Sequence, residues 1–144
     1  VTDLERLAAY EAGDYEQGQA LNALLAARHH FKDLVPITQR QKHKFDDAGR
    51  EWDESPGQLR GRTGWLSAPN YVGNIGDACD LVEYALGKEW IVETQVRTDG
   101  SMARLHKFDP PCRKTGWHRG RPGKVGAAAA IVRAVLEATE PKSE

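Results

Sequence analysis

Apolar positions recur with two different periods along this chain, and the changes of period predict its elements. The longest helical pattern runs from Val125 to Leu136. There Val125, Ala128, Ala129, Val132, Val135 and Leu136 fall on one face, with Arg133 and Glu137 on the other. Pro122-Gly123 marks its start, and the alanine run costs no side-chain entropy while letting a sheet approach closely. Burial of Val132, Val135 and Leu136 is worth about 1.5–3 kcal/mol each. A second amphipathic helix has Ala78, Leu81, Val82, Ala85 and Leu86 on one face, Asn70 or Asn74 before it and Gly87 at its stop. Near the N-terminal end, Thr2-Asp3-Leu4-Glu5 reads as a capping box for a short helix carrying Leu4, Leu7 and Ala8, which Gly13 ends. Asp14 then caps a helix whose face is Leu21, Leu24 and Leu25, extended by Arg28 and Phe31; Asp33 to Pro36 closes it.

Period two appears once with clarity. Trp90, Val92, Thr94 and Val96 alternate with Ile91, Glu93, Gln95 and Arg97, and Met102 to Phe108 supplies a partner strand. Asp99-Gly100 between them fits a two-residue hairpin turn with both residues at positive φ, so Thr98 and Ser101 are expected to pair. Asp109-Pro110-Pro111 ends the second strand, and Thr115–His118 reads as a third. The fold class is therefore α+β: a small antiparallel sheet, including Glu89–Arg97 and Met102–Phe108, with the 76–86 and 124–138 helices packed on it.

From Ile37 to Ser67 no period persists. A basic run, Gln39 to Lys44, meets the acids Asp46, Asp47, Glu51, Asp53 and Glu54, and Gly57, Gly61 and Gly64 follow. The stretch at about 33–67 reads as an irregular arm with one or two short strands, anchored by Phe45, Trp52 and Trp65. With 144 residues, 40% of them hydrophobic, the chain suits one domain with a real core. No apolar run is long enough to span a bilayer, and nothing reads as a secretory leader, so a cytoplasmic, membrane-free protein is expected. Cys79 and Cys112 are the only cysteines and are expected as free thiols.

The order of these elements, with Asn70-Tyr71-Val72-Gly73-Asn74-Ile75-Gly76-Asp77-Ala78 leading into a helix, the Trp90 hairpin, the Gly126–Ala138 helix and upstream Ala20-Leu21-Asn22-Ala23-Leu24-Leu25-Ala26, resembles the phage ABA-sandwich domain family over roughly residues 18 to 138. The resemblance implies α/β/α layering, a phage or prophage origin and a host bacterial cytoplasm. It brings no catalytic or binding residues with it. The long arm and the basic Arg113–Lys124 stretch depart from the family's pattern.

Charge changes the picture where composition does not. Net charge is −1, yet Arg104 to Lys124 carries seven Lys/Arg and two His against Asp109 alone. Within it, Arg119, Arg121 and Lys124 crowd the start of the last helix, where free N–H groups and the dipole favour an anion. Trp117 offers a stacking surface and His118 lies beside it. The stretch lacks a Walker A pattern: His118 stands where the first glycine is required, and Val125 follows the lysine. The bland reading of the same residues is a solvated basic loop. Adjacent His29 and His30 point about 100° apart on a helix and do not share an ion, so no metal and no cofactor are expected. No residue set reads as catalytic.

Two functional classes remain. One is a non-enzymatic phage accessory protein, a counter-defence factor that sequesters a small anionic, nucleotide-like ligand through Trp117, His118, Arg119, Arg121 and Lys124. The alternative is a protein-interaction module that inhibits a host or phage protein through the 33–67 arm. Nucleic acid ranks third, because the net charge is negative and the basic stretch short. A homo-oligomer stays open.

Overall fold

The computed structural model describes residues 1–44 and 51–139. Phe45, Asp46 and Asp47, read above as an anchor and as part of the acidic run, lie outside the described residues. Helix α1 (Asp3–Glu11) begins as its sequence asks: the Thr2 side chain caps it by accepting the Glu5 N–H at 3.1 Å. Of its expected face only Leu7 is buried, while Leu4 and Ala8 are exposed. Helix α2 (Tyr15–His29) buries Ala20, Leu21, Asn22, Ala23, Leu25 and Ala26, a much wider surface than one stripe. It ends before Phe31, and Arg28 turns outward to pair with Asp3.

The arm is more ordered than its sequence suggests. It holds β1 (Val35–Pro36), β2 (Gln41–Lys44), β3 (Glu51–Glu54), β4 (Gln58–Arg60) and β5 (Trp65–Ser67), where one or two strands were expected. Strands β1, β4 and β5 form one antiparallel sheet, and β2 and β3 a separate ladder. The basic and acidic runs find each other in that ladder, with Lys42 opposite Asp53 and His43 opposite Trp52. Opposite charges across a ladder stabilise pairing without any hydrophobic alternation, which is why periodicity did not reveal it.

Helix α3 (Ile75–Leu86) is capped by Asn74, whose side chain accepts the Asp77 N–H, and stops at Gly87 with φ of 104°. Strands β6 (Trp90–Gln95) and β7 (Ser101–Lys107) pair as expected, but the turn does not. The last pair is Gln95 with Met102, so Thr98 and Ser101 are not opposite each other. Among the described residues none but glycine has a positive φ, so Asp99 does not adopt the tight-turn geometry. The residues are needed elsewhere: the Arg97 carbonyl accepts the Gly123 N–H at 3.0 Å, and the Ser101 hydroxyl donates to the Gly123 carbonyl at 2.7 Å. In place of one strand at Thr115–His118 there are two short ones, β8 (Arg113–Lys114) and β9 (His118–Gly120), both paired with β7 on the edge away from β6.

Helix α4 (Gly123–Thr139) lies between this four-stranded sheet and the helices α1 and α3. Burial therefore runs almost all round it, from Gly126 through Val132 and on to Leu136. Two expectations change with that position. Val125 is 53% exposed. Arg133 is half-buried; it pairs with Glu11 and donates to the Arg119 carbonyl at 2.6 Å. A methyl group at Gly126 would overlap the Arg121 carbonyl, and one at Gly120 would overlap the backbone of Gly126. Glycine at both positions is what lets β9 and the first turns of α4 touch backbone to backbone. One apolar cluster joins Leu7, Leu21, Leu59, Tyr71, Leu81, Leu105 and Ile131. Among the described residues no helix is long and apolar enough to cross a membrane.

Candidate functional site

Strand alternation divides β7 into two sides. Ser101, Ala103 and Leu105 are buried against α4, so Met102, Arg104 and His106 face away from the helices. The registers extend that outward side across the sheet. Ile91, His106 and Lys114 form one row, and Gln95, Met102 and Arg119 another. Between them stand Glu93 and Arg104, with Trp117 alongside, its ring 4.6 Å from the Arg104 guanidinium carbon. Helix α4 covers the opposite side, and among the described residues no helix packs over this one, which leaves it an open face.

Arg104 is the best-defined group on it. Its Nε donates to Glu93 Oε2 at 3.0 Å, and its guanidinium lies over the Trp117 indole. Among the described residues neither Nη atom of Arg104 has a hydrogen-bond partner. A guanidinium fixed at Nε and at one face presents a pre-oriented pair of donors, the geometry that suits a phosphate or carboxylate. Glu93 also holds His106, whose Nε2 is 2.6 Å from Oε1. The Arg104 hydrogen bond, helped by His106, keeps the Glu93 carboxyl below the usual carboxylate range despite the opposing effect of desolvation. Phe108 meets the His106 ring edge-on with centroids 4.5 Å apart. A cleft of about 430 Å³ opens here, lined by Glu93, Arg104, His106, Phe108, Arg113 and Lys114 among others. One carboxylate faces five cationic or ionisable nitrogen side chains, Lys107 included.

The five residues expected at the helix start are distributed as follows. Arg119 stands on the open sheet face opposite Met102, and Trp117, just before β9, lies against Arg104. His118 points the other way, with Nε2 3.3 Å from Glu137 Oε2, which also accepts the Gly116 N–H. Arg121 lines a small groove of about 160 Å³ with Tyr10, Glu11 and Tyr15. Lys124 is exposed in the first turn of α4. Glu93, Arg104 and His106 are the residues that reading missed. Their signal was present in the outward half of Met102-Ala103-Arg104-Leu105-His106, once Ala103 and Leu105 are taken as the inward half.

The arm holds a second polar cluster. Glu54 is 1% exposed and accepts from His43 Nε2 at 2.7 Å, Arg60 Nη1 at 3.0 Å and Trp65 Nε1 at 2.8 Å. Burial pushes its carboxyl up, but the Trp65 and His43 hydrogen bonds and the Arg60 charge outweigh that and hold it low. The donors come from β2, β4 and β5 onto a carboxylate of β3, so this cluster anchors those strands to one another. A polar cavity of about 400 Å³ lies between α2 and the arm, where buried Asn22 donates to Asn70 and accepts the Val72 N–H. Cys79 and Cys112 are free. Among the described residues no three His, Cys, Asp or Glu side chains gather as a metal site.

Comparison with protein-family models, with curated proteins and with solved structures finds no match.

Proposed function

We propose that this chain is a non-enzymatic binding protein whose open sheet face takes a phosphate-bearing, nucleotide-like ligand. The observation that carries the reading is Arg104, held by Glu93 and Trp117, with neither Nη donor committed to any of the described residues. Lys107, Arg113 and Lys114 add charge around the same cleft, and Phe108 and Trp117 supply ring surface for a base. The phage setting and a counter-defence role by sequestration are part of the proposal, and what supports them is the sequence resemblance.

Calorimetric titration with nucleoside triphosphates and dinucleotides tests the ligand class. Arg104→Gln is expected to lose about 1.5–3 kcal/mol of binding, one to two decades in Kd, because charge-assisted hydrogen bonds are removed. The melting temperature should hardly move. Absence of heat with every phosphate compound would remove the face as a ligand site.

A second reading, a protein-interaction module acting through the arm, is supported by Val35, Trp65 and Leu66. All three are exposed apolar side chains on the β1–β4–β5 sheet. If pull-down with the whole chain retained a partner that a Trp65→Ser/Leu66→Ser variant lost, while Arg104→Gln kept it, that reading would lead.

A further inference from the structure

The cations of the open face do not converge on one point. His106 and Lys114 lie in one cross-strand row, Arg104 in the next and Arg119 in the one after, by the registers of β6, β7, β8 and β9. Rows two residues apart on a strand are about 7 Å apart. A single phosphate therefore reaches one row or two neighbouring ones, and the others remain unused. The cleft beside Arg104 also continues around β8: a second cavity of about 340 Å³ shares Cys112, Arg113 and Lys114 with it and is walled by Trp90, over which the Arg113 guanidinium lies at 5.5 Å.

Ring surfaces alternate with these charges. Phe108 is 65% exposed beside the His106 row, and Trp117 is 37% exposed beside Arg104. Exposed aromatics interleaved with spaced cations on a sheet face suit a chain that carries one charge and one flat ring per repeat. An acidic peptide would use the cations and leave the rings idle. A duplex would present phosphates but no accessible ring faces.

We propose that the open face of the sheet binds a short single strand of nucleic acid, with phosphates met by Arg104, Lys114 and Arg119 and bases stacked on Trp117 and Phe108. The proposal rests on the reading of this face as a phosphate-ligand site and names the class of ligand. The net charge of −1 does not oppose it, because the acids concentrate elsewhere: Asp3, Glu5, Glu11, Asp14 and Glu16 belong to the α1–α2 end of the chain.

Fluorescence anisotropy of labelled dodecathymidylate against the whole protein tests it, with thymidine monophosphate, the matching duplex and polyglutamate as competitors. The single strand is expected to bind at least tenfold tighter than the mononucleotide. Its log Kd should change with log salt with a slope of magnitude about 2, the value for three neutralised phosphates on a single strand. Arg119→Gln and Lys114→Gln should each lower that slope by about 0.7. Lys88→Gln, on an exposed side chain of the α3–β6 loop, should leave it unchanged. Trp117→Ala should weaken binding about tenfold, and Trp117→Phe should restore most of it; melting curves of all variants should overlay that of the wild type. Equal binding of the mononucleotide would overturn the single-strand proposal and leave the phosphate-ligand reading standing. No binding of either would sink both. Equal competition by duplex or polyglutamate would mark a general polyanion surface and overturn the proposal.

Discussion

Glu54 keeps its charge in a place almost without water, and it does so through its neighbours. Three side chains from three different strands, His43, Arg60 and Trp65, donate to one carboxylate. In the sequence it is the last of a run of acids, and a charge run normally reads as a solvated face. Nothing in that run shows that β2, β4 and β5 will close over its end. Removing the carboxylate leaves those donors unpaired, so Glu54→Ala is expected to cost about 1.5–3 kcal/mol in urea unfolding. The pH dependence has a definite sign. The folded carboxyl titrates below its ordinary value of 4.5, so its contribution is fully present above that value and is lost as pH falls through the folded pKa. Between pH 5 and pH 3 the wild type should therefore lose more stability than Glu54→Gln, and equal losses would show that the charge is not what the cluster holds. Arg104 presents the opposite case. Its outward position was legible in strand alternation, but its fixed orientation was not, because Trp117 reaches it only where the chain enters β9.

Among the elements, the strongest sequence patterns match the structure where packing obeys them and depart from it where backbone contacts intervene. The 75–86 helix has its expected cap, stop and buried face. The hairpin strands are right and the turn is wrong, since Arg97 and Ser101 hydrogen-bond to Gly123 at the start of α4. The polar positions of helix α4 predict an amphipathic helix, but Arg133 is turned inward to Glu11 between α4 and α1. Val132→Asp should be the most damaging change in this helix, costing several kcal/mol for an unpaired buried charge. Arg133→Asp is not innocuous either: it places a carboxylate beside Glu11 and is expected to cost about 1–2 kcal/mol. Thermal melts that ranked Arg133→Asp above Val132→Asp would contradict the burial of this face. Gly126→Ala should cost about 1–3 kcal/mol although alanine is the better helix former, because its methyl group meets the Arg121 carbonyl.

The whole molecule poses the question of whether the arm is a unit of its own. Its sequence suggested an appendage, since glycines and charges replace any hydrophobic period from Ile37 onward. The packing argues otherwise: Leu59 of β4 is fully buried in the same cluster as Leu21 of α2, Tyr71 and Leu105 of the open-faced sheet. Gly57 and Gln58 also exchange backbone hydrogen bonds with Ile37, so β1 and β4 are tied together beside α2. A chain of this size with one contiguous core is expected to unfold in a single cooperative step. The four tryptophans make that measurable, because Trp52 and Trp65 lie in the arm, while Trp90 is on β6 and Trp117 joins β8 to β9. Variants keeping only one pair or the other, with phenylalanine replacing the missing pair, should each give a fluorescence transition in urea that coincides with the far-ultraviolet dichroism of the same variant. The Trp65 substitution removes a donor from Glu54 and shifts the midpoint of its variant, so each comparison is made between probes within one variant. An arm signal that melts before the dichroism would show that Leu59 does not couple the arm to the body, and the chain would then be two cooperative units.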